Sequence, residues 1–238
     1  MGFLLVSAGL GVLVALVTGL VMSPTAAILP ALAATVVSYF LLGRRAQREL
    51  TAGMVEVQKD IQRRQIDGAV RQLEALKHRF ARWQFFAASS IDGQIGAILF
   101  MQGKHEIARP HLENAFVRMW EPQGMLAVIH AKKKDYEAVD KVLERAARYN
   151  GKQGLLWSLW AYLHWKAGHQ ERAINILSKG QQALGDKDPH ITANLLSLQN
   201  DKKMKMKGYG EPWYQFQLEQ HPLLKQAQRG GNVRFARR

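Results

Sequence analysis

Eight histidines are the residues of this sequence best suited to acid–base or metal chemistry, and none lies in an HExxH or similar ligand spacing. His130 and His164 occupy corresponding places in two similar stretches of sequence, so they are the pair that we expect to lie close together. A metal site needs a third ligand, which the sequence does not supply near them. The absence of cysteine also removes thiolate metal sites, disulfides and cysteine nucleophiles. We therefore predict no metal site and no catalytic residue.

Phosphate-binding and nucleophile motifs are also missing. The sequence has no GxxxxGK[ST] loop, no GxSxG elbow and no GxGxxG after a strand pattern. Gly151, Lys152, Gln153 and Gly154 fit a turn after a helix that ends at Asn150. These absences predict a protein that is not an enzyme and that uses no cofactor or small-molecule substrate.

The charge distribution divides the chain into an apolar N-terminus and a basic remainder. Lys and Arg number 33 against 19 Asp and Glu, a net charge of +14, and no charged residue precedes Arg44. Residues 3–22 and 25–42 are apolar runs long enough to cross a hydrocarbon layer of about 30 Å as helices. A chain reversal at residues 23–25 would make them a transmembrane helical hairpin.

The basic residues that follow the second apolar run predict the orientation of this hairpin. Arg44, Arg45 and Arg48 are placed to contact anionic lipid, and such residues stay on the cytoplasmic side. Both termini should then be cytoplasmic, in a bacterial inner membrane. The alternative is a cleaved signal peptide, because residues 31–33 (Ala-Leu-Ala) resemble a cleavage site.

The remaining chain has helical periodicity throughout, with Gly or Pro between segments, and it contains repeats. One copy has Trp157, Trp160 and Ala161 before residues 168–173 (Gly-His-Gln-Glu-Arg-Ala) and Leu177. Two earlier copies have small or apolar residues at the same positions: Leu126, Ala127, Val139 and Leu143 in one, and Ile95, Gly96, Ala108 and Leu112 in the other. A degenerate fourth copy ends in Ala69, Leu73 and Leu76.

This pattern resembles the tetratricopeptide repeat (TPR) family. The resemblance implies an all-α fold, a TPR-like α-solenoid of about three to four helix pairs closed by a capping helix at residues 189–199, without implying a reaction. It departs from the family at His130 and His164, which replace a tyrosine, and at Pro110, which should bend a second helix. The predicted organisation is a hairpin (1–43), a basic juxtamembrane helix with a degenerate repeat (44–88), repeats with a cap (89–200) and a basic tail (201–238).

The family resemblance also implies a groove along the first helices of the repeats. On this face it places four side chains suited to an acidic, partly apolar protein segment, namely Lys132, Tyr162, Trp165 and Lys166, with Phe100 and Met101 from the preceding repeat. The alternative is that these residues pack against the chain's own C-terminal tail, as flanking segments of solenoids often do.

The tail contains nine Lys and Arg, and four of them form a dense stretch that we expect to contact lipid headgroups: Lys202, Lys203, Lys205 and Lys207. An aromatic cluster follows at residues 209–216, so nucleic acid is an alternative partner, and a solvated basic tail is another. Together these features predict a membrane-anchored scaffold or adaptor that holds a partner protein beside the bilayer, as a subunit or assembly factor of a membrane complex. The alternative is a membrane-tethered nucleic-acid-binding protein.

Overall fold

A computed structural model describes residues 2–21, 27–81 and 86–222, and all regular secondary structure within these ranges is helical. The all-α prediction is therefore confirmed. The α-helices are α1 (Gly2–Val21), α2 (Ile28–Gln62), α3 (Ile66–Phe80), α4 (Ala87–Met101), α5 (His105–Glu113), α6 (Trp120–Lys132), α7 (Tyr136–Asn150), α8 (Gly154–Lys166), α9 (Gln170–Leu184), α10 (Pro189–Gln199) and α11 (Glu211–Tyr214). Single 3-10 turns occupy Gly185–Lys187 and Lys207–Tyr209.

The chain divides into two compact units, Met1–Ile98 and Leu99–Arg238. In the first unit, α1 packs against the N-terminal half of α2 through small residues. A Cβ on Gly11 would overlap the Thr35 side chain, and one on Gly19 would lie 4.0 Å from the Cβ of Ala27. The predicted reversal at residues 23–25 lies outside the described residues.

One described helix, α2, is long and apolar enough to cross a membrane. The described apolar part of α1, Leu4–Leu20, is shorter. Helix α2 also runs without a break past Gly43 and the arginines to Gln62, so the second apolar run and the juxtamembrane segment form a single helix of 35 residues. Its C-terminal half packs on α3, where Leu76 fills the space beside Gly53.

The chain contains four helix pairs, α2–α3, α4–α5, α6–α7 and α8–α9, and the two helices of each pair are joined by a turn of the same geometry. In each turn one residue has a positive φ angle: Arg64 (58°), Gly103 (76°), Lys134 (60°) and Gly168 (87°). The N–H of this positive-φ residue donates to the carbonyl three residues earlier. The N–H of the residue that follows it donates to the carbonyl five residues before itself, and all these bonds measure 2.8–3.1 Å. This double closure is the Schellman motif, and it satisfies carbonyls that the helix end leaves free.

The second helix of each pair buries two residues at fixed distances from that turn. The fifth and ninth residues after the positive-φ residue are 0% exposed in all four cases: Ala69 and Leu73, Ala108 and Leu112, Val139 and Leu143, Ala173 and Leu177. Residues 53–76 therefore have the same local geometry as the three later pairs. Pro110 lies within α5, which has only nine residues.

Helices α6 and α8 form the core of the second unit. Every residue of α8 from Gly154 to His164 is buried, and α6 is buried from Trp120 to Ile129 except at Glu121. A helix that is apolar on all sides must be covered on all sides. Helices α7, α9 and α10 cover part of this surface, and the C-terminal segment, defined here as residues 202–222, covers another part.

Candidate partner-binding face

The predicted groove residues lie on the first helices of their pairs, but they differ in accessibility. Phe100 and Tyr162 are 0% and 1% exposed, and Trp165 is half-buried. The exposed members are Met101, Lys132 and Lys166. We call the surface formed by these six residues of α4, α6 and α8, together with Trp120 and Gly124 of α6, the first-helix face.

Two aromatic residues of the C-terminal segment are fully buried on the first-helix face. The ring of Trp213 meets Tyr162 edge-on, with centroids 4.8 Å apart, and the ring of Phe216 lies 5.9 Å from Trp120. Both Trp213 and Phe216 are 0% exposed. Edge-on and tilted aromatic pairs of this kind add about 0.5–1.5 kcal/mol to the free energy of area burial.

Gly124 makes room for Phe216. A Cβ at this position would lie 2.7 Å from Cε1 of Phe216 and 2.9 Å from Cδ2 of Leu159. Any other residue at 124 would therefore push the C-terminal segment or α8 away from α6. The absent side chain is the local feature of the sequence that permits this contact.

Polar groups complete the attachment of the C-terminal segment. The carboxylate of Glu219 accepts a hydrogen bond from the Tyr162 hydroxyl (3.2 Å) and another from Nε1 of Trp213 (3.3 Å). Burial, followed by the charge of Glu219, raises the pKa of Tyr162. The amide of Gln217 donates to the carbonyl of Met101 at 2.7 Å. The C-terminal segment therefore contacts Tyr162 and Met101, two of the residues that the sequence assigned to the groove.

The two predicted groove lysines each lie over aromatic rings. Nζ of Lys166 is 5.0 Å from the ring of Trp165 and 5.5 Å from that of Tyr162. Nζ of Lys132 is 5.9 Å from the ring of Phe100 and donates to Nε2 of His105 at 2.8 Å. Burial lowers the pKa of Lys132, and burial together with this ammonium lowers the pKa of His105. Both lysines can still attract an anionic group, since they remain exposed.

His130 and His164 have separate partners. His164 places Nε2 2.8 Å from Oδ1 of Asp140 and Nδ1 3.4 Å from Nδ1 of His169. Nδ1 of His130 lies 3.6 Å from Oδ2 of Asp135. Because Asp135 and His169 both follow the positive-φ residue of a turn, each histidine links the end of one helix to the start of the next. Among the described residues, no group of three or more His, Asp or Glu side chains could hold a metal ion.

Asp140 accepts three hydrogen bonds around His164. Besides the imidazole, its partners are Nε1 of Trp160 (2.6 Å) and Nη2 of Arg172 (2.9 Å). Burial would raise the pKa of Asp140, but the bonds from Trp160 and His164, together with the charges of His164 and Arg172, lower it. Burial lowers the pKa of His164, although the bond to Asp140 opposes that shift. This cluster connects α7, α8 and α9.

The predicted anion-contacting residues are all exposed. Arg44, Arg45 and Arg48 lie on the continuous helix α2, where Arg45 pairs with Glu49 at 3.3 Å. In the C-terminal segment the side chains alternate, so that Met204 and Met206 are buried while the exposed residues are Lys202, Lys203, Lys205 and Lys207.

The sequence matches no protein-family model, and no curated protein is significantly similar to it.

Proposed function

We propose that this chain is a membrane-anchored, non-enzymatic scaffold built of helix pairs of the TPR type. Its cytoplasmic part would hold a partner protein beside a bacterial inner membrane. The membrane anchor rests on one observation, the apolar surface of α1 and the N-terminal half of α2. Large apolar side chains are exposed along both helices, among them Leu5 (69%), Leu16 (65%), Leu20 (88%), Leu29 (77%) and Phe40 (61%).

Such an apolar surface is far larger than a soluble monomer exposes, and hydrocarbon is the medium that would cover it without cost. We propose a transmembrane hairpin with both termini cytoplasmic. The orientation is supported by Arg44, Arg45 and Arg48, since cationic residues beside spans stay in the cytoplasm.

The scaffold role is supported by the four equivalent turns and their buried positions, which are typical of helix-pair arrays. Such arrays use extended surfaces to hold other proteins. On this chain Met101, Lys132 and Lys166 remain exposed at the margin of the first-helix face. They suit a segment with apolar and acidic side chains.

Membrane integration is tested by alkaline carbonate extraction of the full chain. We expect the protein to stay in the membrane pellet. Replacing Leu10 and Leu13 together by Arg should release a large fraction, because both lie near the middle of the apolar run 3–22 and each charge near a bilayer centre costs about 2.5–3.5 kcal/mol. Gln58→Arg, at an exposed position of the C-terminal half of α2, is the matched control and should stay in the pellet. Release of the wild-type chain by carbonate would contradict the anchor.

Orientation is tested by labelling, which is simple because the chain contains no cysteine. The variant Lys141→Cys, at an exposed position of α7, should react with a membrane-impermeant maleimide only after spheroplasts are lysed. Labelling in intact spheroplasts would place the helix pairs outside the cytoplasm.

Partner binding is tested by photo-crosslinking in cells. A photoreactive residue at Met101 should crosslink to one discrete protein, and the Lys132→Glu/Lys166→Glu variant should weaken that crosslink at least tenfold if its contact is acidic. A photoreactive residue at the exposed Lys179 of α9 is the control for random encounters. Identical patterns from both positions would exclude a binding site at the first-helix face.

A further inference from the structure

A row of lysines lies on a segment of defined structure that follows α10 and is not part of any helix pair. Residues 202–206 have no regular secondary structure, and their side chains alternate between buried methionine and exposed lysine. Met204 is 6% exposed and Met206 is 1% exposed. This burial alternates with a period of two, as in an extended chain, so it presents Lys203, Lys205 and Lys207 outward. We call residues 202–207 the lysine strap.

Asn194 fixes the lysine strap to α10. Its Oδ1 accepts the N–H of Lys205 at 2.7 Å, and its Nδ2 lies 3.4 Å from the carbonyl oxygen of the same residue. Asn194 is 1% exposed, so this side chain satisfies the backbone of the strap from inside the fold. The lysines are therefore presented on a backbone that is already ordered, which reduces the entropy cost of binding.

The charges of the strap are not neutralised within the described part of the chain. Lys203, Lys205 and Lys207 form no ion pair with any described residue. Beside them is an open cleft of about 580 Å³ that is lined by Lys205, Lys207, His190 and Ser197 among others. Glu219 also borders this cleft, but its carboxylate already accepts bonds from Tyr162 and Trp213.

We propose that the lysine strap and its cleft bind the phosphate-bearing headgroups of an anionic bilayer. The chemistry is that of ammonium groups with phosphate oxygens, and each lysine near an anionic surface strengthens binding by a factor of about five. The buried aromatics favour lipid over single-stranded nucleic acid. Binding of unpaired bases relies on exposed aromatic rings. In the C-terminal segment Trp213 and Phe216 are fully buried, and Tyr209 and Tyr214 are half-buried with their rings against those of His190 and His221.

This inference deepens the proposed membrane-anchored scaffold, because it gives the scaffold a second contact with lipid. The experiment therefore separates anchoring from headgroup binding. The full chain is reconstituted in nanodiscs of neutral phosphatidylcholine, and its incorporation is measured first. Failure to incorporate would overturn the proposed anchor. Incorporated protein is then mixed with sucrose-loaded vesicles of phosphatidylcholine that contain or lack about 30% phosphatidylserine, and the fraction that sediments is measured.

We expect sedimentation with anionic vesicles only, and a decrease when salt is raised. The variant Lys203→Glu/Lys205→Glu/Lys207→Glu should bind roughly one hundredfold more weakly, since three factors of about five are lost. The matched control is Lys141→Glu/Arg145→Glu/Lys179→Glu, which changes the net charge equally at exposed positions of α7 and α9. It should bind within about threefold of the wild-type chain.

Two results would overturn the proposal. Equal losses in both triple variants would show that net charge acts without regard to position. The second concerns single-stranded DNA, measured by fluorescence anisotropy with the same three proteins. If DNA binds more tightly than the anionic vesicles and is lost only in the strap variant, then nucleic acid is the ligand of the strap.

Discussion

At the scale of single residues, Asp140 illustrates how one carboxylate can connect three helices. It joins three helices by accepting bonds from Trp160, His164 and Arg172, and the Tyr136 ring packs 5.6 Å from the His164 ring. A partly buried carboxylate is stabilised when its oxygens accept hydrogen bonds in this way. The arrangement resembles an acid–base relay, but its contacts are those of a structural clamp.

The clamp predicts a pH dependence of stability. The pKa of His164 lies below its ordinary value of 6.5, with burial as the main cause, so the unfolded chain takes up a proton first as the pH falls. The contribution of His164 to the free energy of unfolding is thus complete above pH 6.5 and decreases below it. The lowered pKa of Asp140 acts only below its ordinary value of 3.8, outside this range.

His164→Gln separates this effect from other titrations. Glutamine keeps an N–H donor for Asp140, so the cost at pH 7 should be about 1 kcal/mol. Between pH 7 and pH 5 the melting temperature of the variant should fall less than that of the wild-type chain. His105, whose pKa is also lowered, remains in both proteins and cancels in the comparison. Parallel pH profiles would show that His164 does not titrate in this range.

At the scale of elements, the turn between paired helices is the unit that repeats. Glycine occupies the positive-φ position in two of the four turns, where a glycine residue avoids the steric cost of a Cβ. Arg64 and Lys134 occupy it in the other two, at a cost of about 1–2 kcal/mol that the surrounding packing must offset. The same backbone therefore forms with and without the favoured residue.

These turns predict opposite effects of two substitutions. Gly168→Ala should lower the free energy of unfolding by about 1–2 kcal/mol, whereas Lys134→Gly should raise it by up to about 1 kcal/mol. Gly43→Ala is the control, because Gly43 is helical and nothing would contact its Cβ, so that this change should be neutral or stabilising. Thermal unfolding followed by circular dichroism measures all three. Equal tolerance of Gly168→Ala and Gly43→Ala would contradict the turn geometry.

Helical content and the register of buried positions could be predicted from the sequence because both depend on local periodicity. Ala108, Val139 and Ala173 lie at equivalent positions of the repeats recognised in the sequence, and each is fully buried. Two features had no local signal. Nothing near Arg64 or Lys134 indicates a positive φ angle. The contact between Phe216 and Gly124 joins residues that are distant in sequence, so aromatic residues after a Gly/Pro break could be recognised as a cluster but not assigned to a site.

At the scale of the whole molecule, the second unit is completed by its own C-terminal segment. Helices α6 and α8 are apolar on nearly every side, and Trp213 and Phe216 cover a part of that surface that α7, α9 and α10 leave open. The segment also carries Glu219, so it has the aromatic and acidic character expected of a partner. A client for the first-helix face must therefore bind at its exposed margin or displace this segment.

The last prediction distinguishes a structural segment from a displaceable one. Trp213→Ala and Phe216→Ala should each lower the free energy of unfolding by about 3–5 kcal/mol, because each removes a fully buried ring from a packed surface. Tyr214→Ala is the matched control, since Tyr214 is half-buried and its ring contacts His221 of the same segment. Truncation after Asn200 should cause a larger loss and expose apolar surface, measured as a lower melting temperature and increased binding of a hydrophobic dye. A truncated chain that melts like the wild type would mean that the segment only rests on the first-helix face, which would then be free for a partner.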